Sequence, residues 1–133
     1  SRRRRQRAPR GVAASEWAVC LPMIVLLVLA TIQACTMIFL KQSLTVAAYE
    51  GVRASLAPGA VAADARAASE AVLRDRRVQG GVVEVRPADL AGVDPGQYIE
   101  FVVSAPPDPN PPTPGTFMRG RPLAASAVMM KEF

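Results

Sequence analysis

The sequence predicts an α+β protein: a long N-terminal helix that crosses a membrane and continues beyond it, a second, amphipathic helix, and a small antiparallel sheet of about three strands. Three observations carry this. Trp17–Leu40 is a run of twenty-four residues without a charge. After it, apolar residues recur every three or four positions up to about Val78 and every second position after Gly81, the change of period that separates helix from strand. Pro58-Gly59, Gly80-Gly81 and Pro95-Gly96 punctuate the segments.

The elements follow in order. A bilayer core needs about twenty apolar residues in a helix, so the uncharged run is long enough to span one. Thr31, Gln33 and Thr36 are its polar members, able to bond within the helix or to another one. Pro22 lacks a backbone donor and crowds the preceding turn, which predicts a kink or loosening near Ala18–Pro22. Beyond Lys41, Leu44, Ala48, Val52 and Leu56 keep a four-residue spacing to Ala57, with Gly51 the one breaker. A second helix is predicted from Val61 to Val78, with Val61, Ala65, Ala68 and Val72 as a narrow stripe and Leu73 beside it. Val82–Val85 and Gln97–Val103 read as strands, the latter with Ile99, Phe101 and Val103 on one face. Six of the nine residues in 106–114 are proline, which predicts an extended, solvent-exposed loop spanning roughly 105–115. The last segment, Leu123–Phe133, is read as a closing strand over a short helix, because Leu123, Ala125, Ala127 and Met129 alternate although alanine and methionine prefer helix. The outer part, 41–133, holds few large apolar side chains, so a partner or the anchored helix itself must complete its core.

Charge and composition narrow the function. The chain of 133 residues carries +5, yet Arg2, Arg3, Arg4, Arg5, Arg7 and Arg10 supply six of its sixteen basic residues. The rest holds ten basic residues against eleven acidic ones, so the basic balance belongs to a tail and gives no support for a nucleic-acid-binding face. By the positive-inside rule those arginines hold the N-terminus in the cytoplasm and send everything after Lys41 outward. There is no histidine, and Cys20 and Cys35 both sit in the apolar run, too far apart on a helix to bridge, where they read as packing residues. Metal centres, Cys–His nucleophiles and disulfide frameworks cannot be built from this inventory. Asp89 and Asp94 have no paired spacing. The sequence therefore predicts no catalytic residue, no metal, no cofactor and no small-molecule substrate.

The most informative spacing lies just before the apolar run, where Gly11 is followed by Val12-Ala13-Ala14-Ser15 and then Glu16-Trp17. A carboxylate at the mouth of a membrane span costs free energy and is normally avoided. Basic leader, glycine, four small residues, Glu-aromatic and apolar helix together resemble the type IV prepilin signal. Arg10–Val19 with Leu21-Pro22, continued by Gln42-Ser43-Leu44 and Ala47-Ala48-Tyr49-Glu50-Gly51-Val52-Arg53-Ala54, resembles the TadE-like minor pilins of tight-adherence (Tad/Flp) pilus systems. The resemblance covers roughly the first 57 residues; the family commonly has Phe or Tyr where Trp17 stands and small apolar residues or Val in place of Ser15. It implies cleavage between Gly11 and Val12 by a prepilin peptidase at the cytoplasmic face of a bacterial inner membrane. It also implies a role for Glu16, with Trp17 beside it, in pairing with the N-terminal amine of a neighbouring subunit. The chain then divides into a basic leader, 1–11, a transmembrane helix, 12–40, and a periplasmic or surface-exposed α+β domain, 41–133. Other pilin or pseudopilin subunits and the Tad assembly platform are the implied partners. The competing reading is an unprocessed single-span anchor displaying a periplasmic binding domain.

Overall fold

The structure, a computed structural model, describes residues 11–107, 110 and 121–132. Its elements are α1 (Val12–Ser55), α2 (Ala62–Asp75), β1 (Val82–Arg86), β2 (Tyr98–Ala105) and β3 (Leu123–Met130). The architecture is α+β, as the period change predicts. Two compact units divide the chain, Ser1–Ala34 and Cys35–Phe133.

In the first unit every residue of α1 is exposed except Gln33, which is half-buried. The helix runs unbroken through Pro22, where a loosening was expected. In an apolar span the cost of leaving the helix exceeds the loss of one backbone bond, so proline is tolerated there. Thr31 Oγ1 donates to Leu27 O at 2.8 Å, which satisfies that hydroxyl within the helix. Cys20 and Cys35 are exposed free thiols on this helix surface, not packing residues within the chain.

The second unit is a three-stranded antiparallel sheet in the order β1-β2-β3, with α1 from Leu40 onward and α2 against one face. Ile99, Phe101, Val103 and Ala105 of β2 are buried on that face, as the alternation predicts. The chain reverses into β2 through Asp94-Pro95-Gly96-Gln97, closed by Gln97 N–H donating to Asp94 O at 3.1 Å. Gly96 has φ +92, a conformation that strains any residue with a Cβ. Gly96 N–H and Gln97 O then bond to Lys131 O and N–H at 2.7 and 2.9 Å, so two residues face one and β2 starts on a glycine bulge.

The buried stripe of α1 is wider than a four-residue spacing implies. Leu40, Ser43, Leu44, Ala47, Ala48, Gly51, Val52 and Ser55 are all buried, whereas Leu56 is only partly so. Small residues (Ser43, Ala47, Gly51, Ser55) make one side of this stripe. Their purpose shows at Gly51, where a Cβ would stand 2.1 Å from Ser69 Oγ and 2.6 Å from Phe101 Cδ1. The glycine is a contact point for α2 and β2, not a breaker.

The second helix differs from expectation in face and in end. Its buried residues are Ala65, Ser69 and Leu73, while Val61 is exposed and caps the N-terminus in extended conformation. The buried face is turned toward Ser69 because that hydroxyl donates to Ala47 O at 2.9 Å, a use of a polar residue that an apolar stripe does not reveal. The helix stops at Asp75, ahead of Gly80-Gly81. Arg77 takes the left-handed conformation at φ 55, and Val78 N–H donates to Leu73 O at 2.8 Å. This six-to-one closure satisfies a terminal carbonyl, and Val78 packs against the core.

Of the proline-rich segment only Pro106, Pro107 and Asn110 lie among the described residues. They depart from a solvated loop. Pro107 is buried, and Asn110 Nδ2 donates to Pro106 O at 2.7 Å and to Gln79 O at 3.0 Å. Asn110 Oδ1 accepts from Gln79 N–H at 2.8 Å.

Candidate processing and assembly site

Gly11 stands at the turn that opens α1, and Val12 is the first helical residue. Both are exposed, and a Cβ added to Gly11 would meet nothing within 4 Å. The first backbone bond of the helix runs from Ser15 N–H to Gly11 O at 3.3 Å, and Ser15 Oγ donates to Val12 O at 2.8 Å. The four small residues thus form a regular first turn. Glu16 is the fifth helical residue, one turn in, and its carboxylate has no ion pair or hydrogen bond among the described residues. Trp17 follows with 66% of its surface exposed. Arg2, Arg3, Arg4, Arg5, Arg7 and Arg10 lie outside the described residues.

The span after Trp17 has a mean hydropathy of 2.5 over its most apolar eighteen residues, of which only 6% are buried. Ile24, Leu26, Leu27 and Val28 each expose about half or more of their surface. A soluble chain would leave this area in water at about 25 cal/mol per Å². A bilayer removes that cost.

The later part of the resembling stretch, 42–54, does different work. Ser43, Leu44, Ala47, Ala48, Gly51 and Val52 face the core, while Arg53 and Glu50 pair on the surface at 3.8 Å. The acids weighed for catalysis shape loops: Asp89 Oδ1 accepts from Ala91 N–H at 2.9 Å, and Asp94 closes the turn before β2. Among the described residues no cluster of three or more His, Cys, Asp or Glu is placed to hold a metal ion. The buried anchors Leu90 and Val93 in the β1–β2 connection escaped the sequence reading because two isolated apolar residues in a turn-rich stretch have no period.

An exposed apolar helix joined in sequence to an α+β head fits a single-pass membrane protein. The comparison with protein families is more specific: the family described as TadE-like protein matches residues 11–53. That segment begins at Gly11, takes in the whole apolar run, and ends at Arg53 in the last turn of α1. The family is one of Tad pilus-associated structural components, so the match agrees with the resemblance drawn from the same residues. Comparisons with curated proteins and with solved structures returned no match.

Proposed function

We propose that the protein is a minor pilin or pseudopilin of a Tad-type pilus or secretion machine. A prepilin peptidase processes it between Gly11 and Val12, and it is anchored in a bacterial inner membrane with its head in the periplasm. The observation that supports this most is the start of α1: an exposed glycine followed at once by a regular helix with a carboxylate one turn in. Glycine offers a peptidase an unobstructed backbone. Cleavage there frees the amine of Val12, and the helix start favours the negative charge of Glu16. A second subunit's amine beside Glu16 offsets the cost of holding that carboxylate near the bilayer. The protein does no chemistry of its own. Its function is to be cut, to pair, and to present the head.

Co-expression with a prepilin peptidase tests the reading. The cut leaves Val12 as the new N-terminus, and Gly11→Val blocks it. N-terminal sequencing that finds Ser1 in the presence of an active cognate peptidase defeats the proposal in favour of the unprocessed anchor.

A further inference from the structure

β3 closes one side of the sheet and carries no neighbour on its outer edge among the described residues. Which of its backbone groups are free follows from the bulge at its end. Lys131 directs both N–H and C=O toward β2, and groups alternate along an antiparallel strand. Met129, Ala127, Ala125 and Leu123 therefore bond to β2, whereas Met130, Val128, Ser126 and Ala124 point their N–H and C=O groups outward. Among the described residues only Lys41 Nζ reaches that outer row, donating to Ala124 O. Among the described residues the outward groups of Ser126, Val128 and Met130 have no partner.

Sheets usually protect such an edge with charge, proline or a bulge. The opposite edge strand carries charge and ends at a proline: Glu84 and Arg86 pair on β1 at 3.2 Å, and the strand stops at Pro87. Leu123–Met130 has eight residues, no charge and no proline. Beside its C-terminal end lies an open depression of about 310 Å³ lined by Leu56, Met129, Met130 and Glu132. Met129 belongs to the helix-facing side of the sheet and Met130 to the other, so the depression wraps the edge itself. Its walls are apolar and adaptable, and Glu132 puts one negative charge at its rim.

We infer that this edge is a docking site for an extended segment of another protein, which adds to β3 as a fourth strand. The segment seats an apolar side chain beside Leu56 and Met129 on the helix-facing side and sets a lysine or arginine against Glu132. Backbone pairing supplies the affinity, and the depression with its carboxylate supplies the register. The inference depends on the folded head alone and stands or falls apart from processing at Gly11.

The test uses the full chain in detergent micelles and the acetylated peptide Thr-Val-Thr-Leu-Thr-Val-Thr-Lys, read by residue-resolved amide exchange. Strand addition slows exchange at Ser126, Val128 and Met130 by about tenfold or more, the worth of one hydrogen bond. Ala125, Ala127 and Met129, already bonded to β2, stay unchanged. Val128→Pro removes an outward donor without touching the ladder to β2, so it abolishes the slowing while Phe101 remains protected. Glu132→Lys weakens the lysine peptide and strengthens its glutamate counterpart. Three results overturn the inference: no alternating protection at saturating peptide, slowing that survives Val128→Pro, or the same pattern without peptide and rising with protein concentration, which would make a second copy the occupant.

Discussion

Replacing Gly51 with alanine sets two effects against each other, and the structure decides the sign. Alanine is the better helix former by about 1 kcal/mol, so an exposed mid-helix position would gain stability. At Gly51 the new methyl would stand 2.1 Å from Ser69 Oγ and within 2.6 to 2.8 Å of two Phe101 ring atoms. Ser69 and Phe101 are both fully buried, so neither has room to retreat. Overpacking of a filled core costs about 1–3 kcal/mol. Displacing the Ser69 hydroxyl from Ala47 O removes a buried hydrogen bond worth about 1 kcal/mol more. The net is a destabilisation of roughly 1–3 kcal/mol, which for a head of about a hundred residues lowers Tm by roughly 5–20 °C. Thermal melting of the full chain in detergent, followed by the circular dichroism of the sheet, measures it. Gly92→Ala is the control: its Cβ meets nothing within 4 Å, and its effect stays within about 0.5 kcal/mol. Gly51→Ala combined with Ser69→Ala falls short of the sum of the single losses, because the nearest clashing atom has gone. A Gly51→Ala protein that melts at or above the native temperature would refute the close approach of α1, α2 and β2.

Three further outcomes are expected. Gly96→Ala lowers head stability by about 1–2 kcal/mol in the same melt, since φ +92 is strained for a residue with a Cβ; an unchanged Tm contradicts the bulge that starts β2. Glu16→Ala leaves peptidase cleavage and membrane level intact but cuts co-purification with pilus partners several-fold, and equal recovery would remove Glu16 from assembly. A reporter fused after Phe133 is active only outside the cytoplasm, because six arginines precede the span and Lys41 alone follows it closely; activity inside would invert the topology.

What the sequence made legible depended on repetition. The uncharged run, the alternation of Ile99, Phe101 and Val103, and the turn at Asp94-Pro95-Gly96 all have patterns that one local interaction explains. The features it hid are those in which residues distant in sequence fix each other. Ser69 reads as a polar interruption until Ala47 O is seen above it, and Val61 reads as core until the helix turns that hydroxyl inward. Arg77 ends α2 in a conformation more often given to glycine, so attention falls on Gly80-Gly81 instead. Gly51 carries both meanings, a weak helix former in isolation and a necessary gap in the fold. At the candidate processing site the elements (glycine, small turn, carboxylate, apolar helix) are consecutive, so their spacing is read directly from the sequence.

The core of the head draws Leu40, Leu44, Ala47, Ala48 and Val52 from α1, and its last strand is Leu123–Met130. Synthesis therefore delivers these pieces in a fixed sequence. The ribosome makes α1 before the strands, and its second half is present as a template before any of them exists. The sheet cannot close until Leu123–Met130 has been made. Between those moments the apolar face of Leu40, Leu44 and Val52 stands on the helix without the sheet that buries it.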